Sequence, residues 1–193
     1  MLGEYRRKMG RGLLLPLSAE KIGQWVFDLN ILWEDIPMLQ DSTRLAKLDS
    51  KNRIILNQLA ERAFVETPGL HNTTLAHEVG HRVLHVDTAR DSQMPLRDFI
   101  CLSQEGKGEP DYPEERQAHM FMAYLLMPYE LLRPAIETLG QVSWRGLYNM
   151  ANEFDVTISA MRIRLERLGV GYVDANGILH ASRAEANGQI RLL

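Results

Sequence analysis

The chain has little of what marks secreted, membrane-spanning or nucleic-acid-binding proteins. Cys101 is its one cysteine in 193 residues, which excludes an internal disulfide and is typical of a reducing compartment. No stretch approaches the ~20 apolar residues of a membrane span, and the apolar run at residues 13–17 is too short for a signal-peptide core. A net charge of −3 gives no large basic field for nucleic acid. We therefore expect a soluble, cytoplasmic protein with no membrane partner.

Length and composition favour one compact core with a small appended module. The chain is 45% hydrophobic and 24% charged, as in ordinary globular domains. We expect Cys101 to be a partly buried strand residue, because no Cys-His signature of a nucleophile accompanies it.

The most informative segment is H-E-V-G-H at residues 77–81, within a run that predicts a helix. Two histidines four residues apart on a helix are separated by about 40° around the axis and ~6 Å along it, so His77 and His81 can reach one metal ion. Glu78 lies beside that face, where its carboxylate can accept a proton from a water that the metal activates. His85 lies a further ~6 Å along, which favours a structural role or one of supporting a metal ligand without binding the metal itself. The alternative is a surface helix with incidental histidines.

The flanking residues support the helix and suggest where it begins. Residues 72–74 are Asn-Thr-Thr, whose side chains are good helix caps, and apolar residues recur after them at helical spacing. A catalytic zinc site also needs a third protein ligand and an open fourth position. Its best source is a second predicted helix that begins near Glu114 and ends at Pro128, with Glu115 and His119 on one face near its start.

The two helices together resemble a known family. Residues 74–85 read T-L-A-H-E-V-G-H-R-V-L-H, and residues 115–128 read E-R-Q-A-H-M-F-M-A-Y-L-L-M-P. This pairing is similar to that of the ImmA/IrrE family of zinc metallopeptidases. Residues 154–169 also match a helical segment of that family.

The resemblance implies a role for each matched residue. His77 and His81 would be the first two zinc ligands and Glu78 the general base. Glu115 would be the third ligand, with the adjacent Glu114 as the alternative, because a one-residue error in placing the helix exchanges them.

The residue that stabilises the oxyanion is less well defined. The family usually has Asn where this chain has His119, which could orient a ligand, stabilise the oxyanion or simply pack. His119 and Tyr124 are the catalytic candidates beside Glu78, and Tyr112 and Arg116 are further candidates for the same role.

The expected fold is α+β. Residues 18–29 predict a helix capped by Ser18, and residues 30–33, 44–48 and 53–57 predict strands. The resemblance likewise implies a mainly helical, zincin-like peptidase core with a small antiparallel sheet. The polar segment at residues 87–113 connects the two ligand helices and is either a substrate-covering lid or a mobile connector.

The resemblance also implies a function. The chain would be a zinc-dependent endopeptidase that cuts a specific protein substrate, a helix-turn-helix transcriptional repressor, and so relieves repression of a mobile element or a stress response. Manganese or iron could occupy the same ligands.

The C-terminal part predicts a separate unit. We divide the chain into a peptidase domain at residues 1–139 and a helix-turn-helix-like unit with a β-hairpin at residues 140–193, packed on it. From residue 145 to 168 there are four Arg against two Glu and one Asp, a net +1, so we expect no specific nucleic-acid binding. A DNA-binding regulator and a catalytically silent interaction module remain the alternative functions, although an intact Glu78 argues against both.

Overall fold

The computed structural model describes residues 1–10, 12–37, 44–49, 51–86, 99–102, 112–140 and 142–188. Most of the predicted lid or connector at residues 87–113 lies outside these ranges, so neither interpretation of it is tested. The fold is α+β, as predicted from the sequence.

Helices make up most of the described chain. The α-helices are α1 (Leu2–Met9), α2 (Ala19–Phe27), α3 (Glu61–Glu66), α4 (Leu70–Leu84), α5 (Pro113–Leu126), α6 (Tyr129–Leu139), α7 (Trp144–Phe154), α8 (Ile158–Arg167) and α9 (Arg183–Ala186), with a 3-10 turn at Gln58–Ala60. The strands are β1 (Asn30–Glu34), β2 (Arg44–Leu48), β3 (Arg53–Asn57), β4 (Phe99–Leu102), β5 (Tyr172–Val173) and β6 (Leu179–His180). The cap predicted for α2 is confirmed, since the Ser18 hydroxyl accepts a hydrogen bond from the Lys21 N–H. Cys101 lies in β4, as expected for a strand residue.

The first four strands form one mixed sheet in the order β1–β3–β2–β4. Strand β2 pairs antiparallel with both β3 and β4, whereas β1 pairs parallel with β3. The prediction of an antiparallel sheet is therefore right for β2 and its two neighbours and wrong for β1. The reason is topological: the chain reverses between β1 and β2 and again between β2 and β3, so β1 and β3 run in the same direction.

Helix α4 lies at the centre of the core. It packs against α2, α5, β2 and β4, and every residue from Asn72 to His81 is buried. Its apolar residues Leu75, Ala76 and Val79 join a core cluster built from the surrounding helices and the sheet. Burial of apolar surface on all sides of α4 thus holds the H-E-x-x-H segment in place.

The predicted start of α4 is wrong. The helix begins at Leu70, with Gly69 at the N-cap position and a φ of 74°, so Asn72 lies inside the first turn and does not cap it. The Asn72 side chain instead bonds to Leu17, Ala19 and Asp155 outside the helix. Sequence pattern could not show this, because two of these partners are backbone carbonyls far away in the chain.

The C-terminal residues form the predicted helix-turn-helix-like unit and hairpin. The Ser143 and Thr157 side chains cap α7 and α8, and β5 pairs antiparallel with β6. Phe154 and Met161 are fully buried in the same core cluster that contains the apolar residues of α4. The division into two domains at residue 139 stays a prediction. Within the described ranges, no helix has both the length and the apolar character to cross a membrane.

We expect Gly69→Ala to destabilise the protein by at least about 2 kcal/mol more than Gly177→Ala. Both glycines have a positive φ, 74° and 79°, so an alanine at either position suffers a similar backbone strain of roughly 1–2 kcal/mol. A Cβ at position 69 would also lie 2.2 Å from the carbonyl carbon of Val156, while nothing lies within 4 Å at position 177. Urea denaturation of both variants measures the difference, and equal losses would contradict the close approach.

Candidate metal centre

Helices α4 and α5 bring three potential metal ligands together. The Nε2 atoms of His77 and His81 are 2.9 Å apart, and the Glu115 carboxylate lies 3.1 Å from the first and 3.3 Å from the second. Their ligand atoms all lie within 4.8 Å of one another, and the group could hold a metal ion. The two histidines come from successive turns of α4 and the carboxylate from the first turn of α5.

The spacing of these atoms fits a tetrahedral metal site. Around a tetrahedral zinc ion, with bonds of about 2.0–2.1 Å, ligand atoms lie about 3.3–3.4 Å apart. The three separations in the protein are close to that value. Two imidazoles and one carboxylate are also the donor set of several zinc peptidases, and they leave a fourth position for water or substrate.

Burial and charge favour the protonation states in which these side chains can bind a metal. Burial lowers the pKa of His77, although Glu115 opposes the shift, so the imidazole remains neutral and keeps a lone pair. Burial would raise the pKa of Glu115, but hydrogen bonds from His77 and His81 outweigh it and lower that pKa. Neutral imidazole and ionised carboxylate are the states that bind metal.

Glu78 lies fully buried beside this group. No side chain among the described residues donates a hydrogen bond to either carboxylate oxygen. Burial, followed by the negative charge of Glu115, raises the pKa of Glu78 well above its usual value, although the backbone N–H of Leu48 is a donor that lowers this pKa. A buried carboxylate with so few hydrogen bonds is costly in a protein interior, which indicates that a cation or a polar ligand belongs next to it.

Gly80 sets how closely the two ligand helices approach. A Cβ at this position would lie 3.1 Å from the carbonyl oxygen of Ala118 and 3.1 Å from Cδ1 of Phe121, both on α5. Sequence reasoning assigned no role to Gly80. A glycine three residues after His77, inside a helix where glycine is otherwise unfavourable, was the available signal.

A second contact joins the far end of α4 to the start of α5. The His85 Nε2 donates a hydrogen bond of 3.1 Å to the backbone carbonyl of Glu114. His85 thus connects the helices and is not a member of the metal-binding group. The Glu114 side chain is exposed, whereas Glu115 is partly buried among the imidazoles, so the structure brings Glu115 and not Glu114 to the two histidines.

The catalytic candidates His119 and Tyr124 lie in different places. The His119 ring centroid is 4.5 Å from that of His77, and burial together with His77 lowers the pKa of His119 to about 4. Tyr124 follows Glu115 by nine residues, which is about 180° around the helix, and its ring stacks under the Arg164 guanidinium at 4.2 Å. The structure therefore brings His119 to the centre but does not bring Tyr124 there, and a catalytic role for His119 stays a prediction.

The other two candidates for an oxyanion donor lie at the start of α5. The Tyr112 side chain is 71% exposed, and Arg116 is also exposed. No contact described for either side chain connects it to the metal-binding group.

Comparison with known protein families shows a match to the chain. The model of the Peptidase_M78 family, described as the IrrE N-terminal-like domain, matches residues 19–166, which is more than half of the 193 residues. The matched region contains α4, α5 and the whole candidate centre. No curated protein shows a match to the chain.

We expect Glu115→Ala to weaken metal binding sharply and Glu114→Ala to leave it unchanged. The first variant removes the carboxylate that lies 3.1 and 3.3 Å from the two imidazoles, while the second removes an exposed carboxylate nearby. Elemental analysis and zinc competition with a chelator should give about one ion per chain for the parent and for Glu114→Ala. Full occupancy of Glu115→Ala, together with loss in Glu114→Ala, would move the third ligand to Glu114.

Proposed function

The chain belongs to the Peptidase_M78 family, and on that premise we propose that it is a zinc-dependent endopeptidase that hydrolyses a peptide bond in a specific protein substrate. The family and the possible metal site support a metallopeptidase-type hydrolase. One observation carries the proposal: three ligand atoms from α4 and α5 converge beside Glu78, a fully buried carboxylate to which no described side chain donates a hydrogen bond.

The protein's contribution begins with holding the metal. His77, His81 and Glu115 would bind it, and their mixed nitrogen and oxygen donors suit zinc, although manganese and iron accept similar donors. When bound, zinc supplies Lewis acidity, which lowers the pKa of a water towards ~7 and polarises a carbonyl group. The burial of both imidazoles keeps bulk water from competing for their lone pairs.

Glu78 would move the proton. One of its carboxylate oxygens accepts a proton from the water as the water oxygen attacks the scissile carbonyl carbon. The same carboxyl group then delivers that proton to the leaving amide nitrogen as the C–N bond breaks. Glu78 directly follows His77 on α4, is fully buried and is not one of the three grouped ligands, which supports a role as the base beside the metal.

His119 is the residue best placed to stabilise the oxyanion. Its ring neighbours that of His77, and a neutral imidazole always carries one N–H that can donate a hydrogen bond. His119→Asn restores the residue usual in the similar family and keeps an N–H donor. His119→Ala removes the donor altogether.

We further propose that the substrate is a helix-turn-helix transcriptional repressor whose cleavage relieves repression. The support for this is the resemblance of residues 74–85 and 115–128 to the ImmA/IrrE motifs. A substrate of this kind would place the activity in the cytoplasm. A repressor encoded beside the gene for this chain is the first one to test.

We expect the protein to show no tight, sequence-specific binding to duplex DNA. On α8, Arg162 forms an ion pair of 3.3 Å with Glu166, and Arg164 is only 3% exposed, so α8 does not offer Arg164 to a phosphate. A mobility-shift titration at physiological salt measures the affinity, with Arg162→Ala as the comparison. Tight binding that depends on DNA sequence and is lost in Arg162→Ala would favour the regulator hypothesis instead.

We expect Glu78→Gln to keep the fold and the bound zinc but to abolish cleavage. The amide has nearly the shape of the carboxylate but cannot accept the proton, so the rate should fall by at least ~10²–10⁴-fold. Glu114→Gln makes the same change on an exposed carboxylate and serves as the control. Each protein is incubated with the neighbouring repressor and zinc, and the fragments are identified by mass spectrometry.

The outcomes of this experiment separate the possibilities. Equal cleavage by the parent and Glu78→Gln would exclude Glu78 as the base. No cleavage by a parent that binds zinc would favour a silent interaction module. We expect casein, a generic unfolded substrate, to be cut poorly even by the parent, because the family resemblance implies recognition of a folded partner.

A further inference from the structure

The turn between α7 and α8 lies directly against the first turn of α4. The backbone of Gly69 approaches that of Val156 so closely that a Cβ would lie 2.2 Å from its carbonyl carbon. In the adjacent contact, the Thr157 N–H donates a hydrogen bond of 3.4 Å to the Thr73 hydroxyl, which itself donates to the Gly69 carbonyl. At Gly69 backbone therefore meets backbone, and beside it only the short Thr73 side chain connects the two segments, so little can absorb a shift.

The buried side chain of Asn72 also joins the first turn of α4 to the end of α7. Its Oδ1 accepts the Ala19 N–H at 2.8 Å, and its Nδ2 donates to the carbonyls of Leu17 at 2.9 Å and Asp155 at 3.1 Å. The amide thus connects three segments: the start of α2, the first turn of α4 and the end of α7. His77 follows Asn72 by five residues, or ~7.5 Å along the helix.

Arg164 makes the corresponding contact at the end of α5. Its Nε donates to the carbonyl of Met127, just after the last residue of α5, at 3.3 Å, and its guanidinium lies over the Tyr124 ring. The side chain is 3% exposed, and the charge meets the negative end of the helix dipole. A buried charge seldom stabilises a fold more than an apolar side chain of the same size, so its directed hydrogen bond favours a positioning role.

These contacts lie at the opposite end of the helix pair from the bond between His85 and Glu114. That bond fixes the C-terminal end of α4 to the start of α5. The turn at residues 155–157 contacts the N-terminal end of α4. Arg164 contacts the C-terminal end of α5. Both belong to a single unit, α7–α8. The metal-binding atoms lie between these two sets of contacts.

We propose that α7–α8 is an internal clamp that sets the position of the two metal-binding helices, with Asn72 and Arg164 as its positioning residues. The inference rests on the metal site of the proposed function. Helices are stiff, so a small rotation of α4 or slide of α5 displaces an imidazole or the Glu115 carboxylate. Displacements below 1 Å already weaken a site of this kind. The helix-turn-helix-like unit then serves the metal centre from inside the fold, and not as a reader of DNA.

The test compares two buried asparagines that bond to backbone groups in a similar way, although Asn57 also accepts the Leu59 N–H at 3.1 Å. Asn72→Asp keeps the acceptor for Ala19 but replaces the donor to Leu17 and Asp155 with an oxygen. Asn57 is buried, accepts the Ile36 N–H at 3.0 Å and donates to the carbonyls of Ile36 and Arg44, so Asn57→Asp is the same change in the sheet. Arg164→Met removes the donor and the charge, and Arg164→Lys restores a charged donor.

The readouts separate positioning from stability. Zinc affinity is measured by chelator competition well below the melting temperature. The visible spectrum of the cobalt-substituted protein reports the geometry of the metal ligands. Hydrogen exchange of the metal-free protein reports how often the backbone hydrogen bonds of α4 open. We expect Asn72→Asp and Arg164→Met to bind zinc about tenfold more weakly, with an altered cobalt spectrum and faster exchange at residues 70–75. Asn57→Asp should lower the melting temperature but keep the zinc affinity, and Arg164→Lys should recover part of the loss.

Retention of the parent's zinc affinity and cobalt spectrum in Asn72→Asp and Arg164→Met would overturn the clamp. Unchanged exchange in α4 would overturn it as well, and this readout needs no metal. A parent that binds zinc but cuts no repressor would contradict the proposed function and leave the clamp intact. Should Asn72→Asp fail to fold, the pair Arg164→Met and Arg164→Lys decides the outcome.

Discussion

The crossing of α4 and α5 is the contact on which the centre depends. Each helix alone supplies an incomplete site: two imidazoles on α4, and one carboxylate on the first turn of α5. Gly80 permits the approach because it has no side chain to separate the helices. Helix α4 also packs closely against α2 and the sheet, which limits how far it can move away from α5.

The interior of this crossing is more polar than a stable core requires. His77, Glu78 and His81 are fully or almost fully buried, and no side chain in the described part of the chain hydrogen-bonds to the Glu78 oxygens. Such groups lower the stability of a fold unless something compensates them. Their position inside the best-packed helix indicates that the surrounding apolar residues provide the compensation, as is common where function sets the local sequence.

Local pattern in the sequence was enough for the parts of the site that lie on one helix. The spacing of His77 and His81 follows from helix geometry alone, and the Ser18 cap from its residue type. Choosing Glu115 over Glu114 needed the family resemblance, since one residue of helix register decides it. The parallel pairing of β1 and the outward bonds of Asn72 were not predicted, because both depend on segments that are distant in the chain and meet only in the folded protein.

That distance has a consequence for how the protein is made. Asn72 bonds to groups 53, 55 and 83 residues away, and Arg164 reaches back 37 residues to Met127. Closing such long loops costs chain entropy and slows folding. It also requires that the later segment has already been made. During synthesis on the ribosome, the bonds from Asn72 to Asp155 and from Arg164 to Met127 can therefore form only after nearly all of the chain has emerged. The contacts of α7–α8 with the two metal-binding helices would thus be among the last to form, and fragments that end before α7 would lack them.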